Sequence, residues 1–480
     1  MFSIAGPSST STSEINNGEQ ITEPETTVSV THQSTPASEE EIIASANENS
    51  SIQFNYSNQP EKMLMEPGIN QVIIDHLKKK VEQLTEKEKY CALLFDEMTL
   101  ECNVDYDPVA GLIDGFQDLG EYGGRSRDFA DHALVFMLQS IYENIEEPIA
   151  YYFTSGIISS EHLVNLINVI IKTVHAIGFQ VITTVCDHSV RNVGALNLLK
   201  KRSGLPPDQN YFLLNQEKIY IVFDVPHLFK SIRNNFLKAG VMMLSNKRAQ
   251  WSHLVKVEER NRIKRLGYTK ITKMHIAPNN KAKLRVEIAA QILSNTAANI
   301  LKMMSEDFEK EVGNALLQTA EVIEELDQLF DCTNGPGEND VNKDIRTNVH
   351  RNSTHHQLWS KYKELLNTVV FSELDHEVKL KFRCINSYII TLKSLECIWE
   401  YVASKGCDHL NLRRLNQDAL ENLFRMIRQH NPTEKNQTCH KFKKALKSII
   451  MTRLGIPFSE EPDEMDELLS DFEDYISAFL

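Results

Sequence analysis

Apolar residues are unevenly spread along the chain, and their spacing changes several times. Residues 1–60 consist mainly of Ser, Thr, Glu, Asn, Gln and Pro, with too few large apolar side chains to offset the entropy of ordering. We therefore predict a disordered polar and acidic segment over 1–60. Within 61–88, apolar residues recur at helical spacing opposite three lysines, which predicts a helix that either forms a short coiled coil or packs on the next domain.

Between residues 89 and 228, short apolar runs are separated by turn residues and by two helical patterns. Four candidate strands, which the turns between them join as a meander, have the sequences YCALLFDEM, GLIDGFQDLG, ALVFMLQSIYE and EPIAYYFTSG. A helix over 162–177 follows, and then the strand FQVITTVCD, the helix VRNVGALNLLKK and the strand KIYIVFD. This order is that of an RNase H-like α/β domain, although periodicity alone indicates only a mixed α/β fold.

Strand signals vanish after this point, and the pattern over 229–405 is almost wholly helical. We therefore predict that a large all-helical insertion domain interrupts the RNase H-like domain. Two amphipathic helices over 406–455 would then complete the first domain. Residues 456–480 form an acidic tail that is either simply solvated or an interaction segment.

The charge of the chain is misleading when it is taken as a whole. The 66 acidic residues outnumber the 51 basic ones, which gives a net charge of −15 and argues against a nucleic-acid partner. Residues 1–60 carry eight acidic and no basic residues, however, and nine acidic residues but no basic one follow Arg453. The body between them is therefore close to neutral, and a basic face is not excluded.

Composition also indicates where the chain would function. No apolar window is long enough to span a membrane, and the first residues lack the pattern of a secretory signal. The eight cysteines include no C-x-x-C pair. This usage indicates a reducing compartment, without a disulfide framework or a cysteine-rich zinc module.

Three acidic residues lie where a divalent metal site would form. Asp96 and Asp187 each end a predicted strand, and Glu421 lies early in a late helix. In an RNase H-like sheet these two strands are neighbours, so the carboxylates would converge and the helix would add a third. Such oxygen ligands suit Mg²⁺ or Mn²⁺, and two ions would support in-line phosphoryl displacement. Each acid alone, however, more often caps a helix or faces solvent, so spacing does not decide.

Seven ordered segments from Tyr90 to Arg453 resemble transposases of the P-element type, whose vertebrate relatives carry an N-terminal THAP zinc module. The segments are LLFDEM, DGFQDLG, HALVFMLQSI, PIAYYFT, VITTVCDHSVRNVGALNLL, IVFDVPHLFKSIRNNF and LNQDALENLFRMIRQHNPT. The resemblance implies a DDE-type RNase H domain that cuts and rejoins DNA with divalent metal. It assigns the catalytic and metal-binding roles to Asp96, Asp187 and Glu421.

The same resemblance implies supporting residues around the three acids. Asp224 and His227, together with Asp418, would orient the metal ligands or balance charge. The alternative is that Asp224 binds metal directly. No pattern near the N-terminus matches the THAP zinc module, so we expect the module to be absent and the recognition of transposon ends to be in doubt.

The insertion domain of this family binds GTP as a cofactor that is not hydrolysed. The chain has no phosphate-binding G-x-x-x-x-G-K-[ST] loop, so only the resemblance points to a nucleotide. It places the cofactor on Lys270, Arg285, Val286, Asp331 and Asn334. An acid and an amide would read the base, and the basic groups would bind the phosphates.

Basic residues are also frequent near the predicted site, where they are either solvated helix faces or contacts to DNA phosphates. The candidates for backbone contacts are Lys230, Arg233, Arg413, Arg414, Arg425 and Arg428, with Lys441, Lys443 and Lys444 further along. Two functions follow: a metal-dependent transposase-like nuclease and strand transferase, or a domesticated non-catalytic factor that binds DNA or protein. A homodimer or a tetramer stays open. A nuclear location follows from the DNA substrate, not from a basic signal.

Overall fold

The computed structural model describes residues 65–107, 111–156, 158–264, 270–336, 345–373, 376–380, 382–432 and 436–455. All of them belong to one compact unit. The predictions of disorder over 1–60 and of an acidic tail over 456–480 lie outside the described residues.

The secondary structure is numbered along the chain. The strands are β1 (Gly68–Ile69), β2 (Tyr90–Thr99), β3 (Asp105–Asp107), β4 (Leu112–Asp114), β5 (Phe116–Asp118), β6 (Arg125–Phe129), β7 (His132–Ser140), β8 (Glu146–Thr154), β9 (Gln180–Cys186), β10 (Tyr211–Leu214), β11 (Glu217–Phe223), β12 (Val241–Leu244), β13 (Lys247–Gln250), β14 (Val370–Glu373) and β15 (His376–Leu380). The helices are α1 (Gln71–Val81), α2 (Ser160–Ala176), α3 (Val190–Arg202), α4 (Val225–Ala239), α5 (Trp251–Lys264), α6 (Lys273–Ile276), α7 (Asn280–Lys283), α8 (Val286–Ile292), α9 (Asn295–Ser305), α10 (Lys310–Asn334), α11 (His355–Leu366), α12 (Arg383–Ser404), α13 (Asp418–Gln429) and α14 (Cys439–Arg453).

A mixed sheet of nine strands forms the centre of the described structure. Its order is β10, β11, β9, β2, β7, β8, β5 and β6, and β1 pairs with β8. Strands β2, β7 and β8 are antiparallel neighbours, whereas β9 and β11 run parallel to β2. Helices cover both faces, which is why the first six residues of β2 are all buried and apolar. The central position of β2 is confirmed. The meander is not, because β7 pairs directly with β2, and β5 from the run GLIDGFQDLG lies on the far side of β8.

The run GLIDGFQDLG forms two short strands, β4 and β5, where one was predicted. Gly115 separates them with a φ of 114°, a backbone conformation that favours glycine. A Cβ atom there would lie 2.1 Å from the carbonyl oxygen of Asn103, so no larger residue fits. The close approach of these backbones therefore explains the break.

The prediction of an all-helical insertion is wrong. Strands β13, β12, β14 and β15 form a separate four-stranded sheet inside it. Strands β12 and β13 make a hairpin with a two-residue loop, and Ser245 in that loop has a φ of 56°. A run of four apolar residues cannot be told from a helix segment by periodicity. The partner β14 comes more than 100 residues later, so nothing local indicates the pairing.

The helix predicted within 61–88 is α1, and it packs on the sheet. Asn70 caps it, since its side chain accepts from the amide of Ile73 at 3.2 Å. Its apolar residues Ile73, Ile74, Leu77 and Val81 are buried within this chain. The helix therefore packs on the domain through this face, which was one of the two predicted alternatives. Across the described residues, none of the helices combines the length and apolarity that a membrane span needs.

Candidate active site

Three acidic residues lie at matching register on three adjacent strands: Asp96 lies inside β2, and Asp187 and Asp224 directly follow β9 and β11. Leu94 of β2 pairs with Val185 of β9, which places Asp96 beside Asp187 two residues later. Phe223 of β11 pairs with Cys186, which places Asp224 beside Asp187 on the other side. The amide of Asp224 donates to the carbonyl of Cys186 at 2.8 Å. Neighbouring parallel strands thus bring the acids together at one edge of the sheet.

Asp96 and Asp187 are held by local hydrogen bonds. Oδ1 of Asp96 accepts from the amide of Glu97 at 2.8 Å. Oδ1 of Asp187 accepts from the amide of Ser189 at 3.0 Å and from the side-chain amide of Asn192 at 2.7 Å. Burial, together with the charges of Asp187 and Glu421, raises the pKa of Asp96 to about 7 against the opposing effects of His227 and of the Glu97 amide. The two carboxylates are therefore close enough to repel each other.

Glu421 joins this cluster from helix α13. Its Oε1 lies 3.8 Å from Nε2 of His227, and its side chain is 48% exposed. Burial raises the pKa of Glu421, as do the charges of Asp224 and Asp418, whereas His227 and Lys230 lower it. The acid that the resemblance assigns from far along the chain is thus near Asp96, and part of it stays open to solvent.

Asp224 and His227 form a buried pair beside the three acids. Oδ2 of Asp224 accepts from the backbone amide of His227 at 2.9 Å and from its Nδ1 at 2.8 Å. Burial alone would lower the pKa of His227, but the hydrogen bond and charge of Asp224 outweigh it and raise the pKa to about 9. The imidazolium therefore carries a positive charge at neutral pH. Because Asp224 is already occupied, the arrangement favours an orienting role over direct metal binding.

Gln417 ties the closing helix to the sheet, and sequence reasoning missed it. Its backbone amide donates to Oδ1 of Asp224 at 2.8 Å, and its side-chain amide donates to the carbonyl of Phe95 at 3.1 Å. The residue is 1% exposed. It thereby joins the segments that carry Asp96, Asp224 and Glu421. The only signal was its place inside the motif NQD-x-L-E, to which no role had been assigned.

The predicted DNA-contacting residues differ in how accessible they are. Lys230 is partly buried among the acids, whose charges oppose the lowering of its pKa by burial. Arg413 pairs with Asp418 at 2.6 Å, so Asp418 is held by an arginine. Arg414 pairs with Glu146 at 2.7 Å. Arg425, which hydrogen-bonds Asn422, and Arg428 are exposed on α13.

Two of the predicted basic contacts are wrong. Arg233 is 0% exposed, and its guanidinium donates to the carbonyl of Lys283 at 3.1 Å. Lys443 is also buried, and its ammonium donates to Asp107 at 2.7 Å and to Asp114 at 2.8 Å. Both cations satisfy internal acceptors, because a buried charge needs partners. Neither is placed to reach a DNA phosphate.

Asp107 and Asp114, with His440, have ligand atoms within 4.8 Å of one another, a spacing that a metal ion could use. The ammonium of Lys443 lies among them, however, and burial of Lys443 is outweighed by its bonds to the two aspartates, which raise its pKa. A lysine cation thus neutralises these acids and joins the β3–β4 hairpin to α14. The group fits a structural role.

The predicted nucleotide-binding residues lie on separate elements. Asp331 and Asn334 end helix α10, and Asp331 is held by the guanidinium of Arg346 at 2.5 and 2.6 Å. Oδ1 of Asn334 accepts from Asn416 at 3.4 Å. Lys270 and Arg285 are exposed, Val286 is half-buried, and Arg285 pairs with Glu287 at 2.6 Å.

Asp331 also borders a cavity of about 600 Å³ inside the insertion. Its acidic lining residues are Glu321, Glu324, Glu325, Asp327 and Asp331, and Lys247 is the cation among the described lining residues. Such a surface would repel a triphosphate but can accept the donor groups of a guanine base. Asp331 lines this cavity, whereas Asn334 is not among its described lining residues.

Family models match three parts of the chain in order. The TNP-like RNase H N-terminal domain matches residues 65–200, the TNP-like GTP-binding insertion domain matches 226–345, and the TNP-like RNase H C-terminal domain matches 414–447. The central sheet and the interruption of the fold agree with this division into an RNase H-like domain and an insertion domain.

Two curated proteins resemble the chain at low identity. DNA transposase THAP9 of Homo sapiens is 25% identical over 401 residues, which cover 79% of this chain and 43% of that protein. Transposable element P transposase of Drosophila melanogaster is 22% identical over 389 residues, which cover 80% of this chain and 48% of that protein. The chain thus spans about half the length of these relatives.

A solved structure has the same fold. The Drosophila P element transposase strand transfer complex matches with a TM-score of 0.67 and 21% identity, covering 81% of this chain and 82% of that chain. Likeness at this identity shows the fold alone. The fold, the three family models in their order along the chain and the two relatives all point to the same protein family.

Proposed function

Since the chain belongs to the family of P-element-type transposases, we propose that it is a metal-dependent nuclease and strand transferase that cuts and joins DNA phosphodiesters. The observation that carries the proposal is the convergence of Asp96 and Asp187 with Glu421 at one edge of the sheet. Isolated acids at strand ends would be unremarkable as caps. Three that come from distant segments to one edge of the sheet offer a set of carboxylate oxygens to a divalent ion.

The donor set fits Mg²⁺ or Mn²⁺, since it consists of carboxylate oxygens and stays partly open to solvent. We assign the binding of the ions to Asp96, Asp187 and Glu421. When bound, two divalent ions would activate the attacking oxygen and stabilise the leaving oxygen of an in-line displacement.

The surrounding side chains supply orientation and charge. Asp224 holds the His227 imidazolium, whose Nε2 faces Glu421 and fixes the direction of that carboxylate. Lys230 interacts electrostatically with Asp96, Asp187, Asp224 and Glu421. It is therefore placed to bind a non-bridging oxygen of the DNA phosphate. The partner is therefore DNA and the location the nucleus, and assembly as a dimer or tetramer is part of this proposal.

A cleavage assay tests the proposed activity. Linear DNA is incubated with the full chain in Mg²⁺, in Mn²⁺ or in EDTA, and nicked products are resolved on a denaturing gel. We expect products in both metals and none in EDTA. DNA binding without cleavage in either metal would instead support the second candidate, a domesticated DNA-binding factor that has lost catalysis.

We also propose that the insertion binds a guanine nucleotide through Asp331 and Asn334. The match of the insertion to a GTP-binding domain supports this, as does the pairing chemistry of an acid and an amide with guanine. Lys270 and Arg285 are the exposed cations that we assign to the phosphates. Arg346 competes with the base, because it holds the Asp331 carboxylate.

Two substitutions should therefore change GTP affinity in opposite directions. Asp331→Asn replaces one of the two accepting carboxylate oxygens by an NH2 donor, which would meet the N–H donors of guanine, and we expect affinity to fall by at least about tenfold. Arg346→Gln removes the guanidinium that pairs with this carboxylate and should raise affinity by several-fold. Isothermal titration of the full chain with GTP, and with ATP as the matched ligand, measures both effects. No heat from GTP with the wild-type chain would contradict the assignment.

A further inference from the structure

A second cavity lies directly beside the acid cluster and has the opposite electrical character. Its volume is about 280 Å³, and its polar lining includes His188, Ser189, Ser231, Asn234 and Arg383. None of the described residues that line it is acidic. This contrasts with the cavity beside Asp331, whose lining is mostly acidic. The difference indicates that the smaller cavity receives an anion.

The cavity is joined to the proposed catalytic site by the chain itself. His188 and Ser189 directly follow Asp187, and the amide of Ser189 donates to the Asp187 carboxylate at 3.0 Å. On the other wall, Ser231 follows Lys230, which interacts with all four acids. An anion held here would therefore lie next to the DNA phosphate that reacts at Asp96, Asp187 and Glu421.

Several donors of the cavity are available to a ligand. Arg383 is exposed, and no ion pair of this guanidinium is found among the described residues. The buried Nδ1 of His188 has no hydrogen-bond partner in the described part of the chain. Helices α3 and α12 also begin at this cavity, at Val190 and Arg383, and their N-terminal ends add partial positive charge.

The size of the cavity restricts its ligand. Pockets that enclose a whole small molecule measure about 300–1,000 Å³, so a cavity of about 280 Å³ takes one group of a larger ligand. It also reaches the surface, since its lining residue Val190 is 65% exposed. A polymer that crosses the surface with one phosphate in the cavity meets both conditions.

We propose that this cavity, the Arg383 cavity, binds a backbone phosphate of DNA adjacent to the phosphate that reacts, with Arg383 as the main contact. The proposal rests on the proposed DNA substrate and adds to it the place where the strand is held. A planar guanidinium suits this task, because it can donate two parallel bonds to one phosphate. The bound phosphate would fix the register of the strand relative to Asp187.

The test measures DNA binding across a series of salt concentrations, with Ca²⁺ replacing Mg²⁺ so that binding is read without turnover. The probe is a linear DNA duplex of arbitrary sequence. Losing one phosphate contact should lower the slope of log affinity against log salt by about 1. We expect this change for Arg383→Gln, whereas Arg383→Lys should keep most of the slope.

Two further variants separate a phosphate contact from other causes. Ser231→Leu fills the cavity without changing charge, and it should lower the slope as Arg383→Gln does. Arg127→Gln removes the same charge from an exposed position on β6, at the far edge of the central sheet, and should leave the slope unchanged. Thermal unfolding of each variant should match the wild type.

The outcome separates this proposal from the proposed function. An unchanged slope for Arg383→Gln or for Ser231→Leu would overturn the Arg383 cavity even if the wild-type chain cleaves DNA in Mg²⁺. A reduced slope without any cleavage in Mg²⁺ or Mn²⁺ would keep the cavity and reject the catalytic proposal. Absence of DNA binding by the wild type would reject both.

Discussion

Asp187→Asn should abolish metal-dependent DNA cleavage while leaving the fold intact. The amide keeps Oδ1, which accepts from Ser189 and Asn192, so the local turn is retained. It loses the negative charge that would hold a divalent ion next to Asp96. We expect a loss of at least about 10³-fold in the cleavage rate, or about 4 kcal/mol in the activation free energy. Single-turnover cleavage in Mg²⁺ measures it.

The matched control is Asp208→Asn, the same chemical change at an exposed loop position before β10. It should cleave like the wild type. Asp96→Asn and Glu421→Gln should show losses of similar size, because all three acids would share the ions. Wild-type cleavage by Asp187→Asn with normal thermal unfolding would remove this residue from the site.

Local signals made Asp96 and Asp187 candidates, and the family resemblance assigned their roles. Each is the acid at the end of a continuous apolar run, and runs of this kind become buried parallel strands. The fold class placed β2 beside β9, so their acids were expected to converge. The position of Asp96 beside Asp187 was therefore within reach of sequence reasoning.

Contacts between distant segments were out of reach. Gln417 bonds to Asp224 across 193 positions, and no local pattern marks a backbone amide as a partner for a buried carboxylate. Arg233 looked like a surface cation because a charged residue usually faces solvent. It is buried, however, and the short helix α7 supplies the carbonyls of Ala282 and Lys283 as acceptors. Periodicity indicates which face of a helix is apolar. It does not indicate whether a charged residue on that face finds a hydrogen-bond acceptor inside the protein.

A related limit explains the missed strand β10. It pairs with β11 through a two-residue loop in which Asn215 and Gln216 both have positive φ values, 50° and 66°. Hairpin loops of this type usually contain glycine, which makes them visible in a sequence. Here glutamine takes the second position, so the turn signal was absent although the geometry is ordinary.

Asp224→Asn should lower both the free energy of unfolding and the cleavage rate. The substitution leaves the partly buried His227 imidazolium without its counter-charge. An asparagine keeps one accepting oxygen, but its NH2 group cannot accept from the groups that the second Asp224 oxygen serves. Breaking a buried pair by removing one partner costs about 3 kcal/mol or more. Urea unfolding measures the loss of stability, and single-turnover cleavage measures the loss of rate.

A double-mutant cycle with His227→Gln separates the pair from its surroundings. If the cost of Asp224→Asn arises mainly from an uncompensated imidazolium, His227→Gln should remove much of that cost, and the double variant should be more stable than the sum of the single effects by at least about 1 kcal/mol. Additive effects would show that Asp224 acts chiefly through Gln417 and the helix cap. Cleavage decides what the pair does for the site: the double variant regains stability but still lacks the imidazolium that faces Glu421, so its rate should stay low.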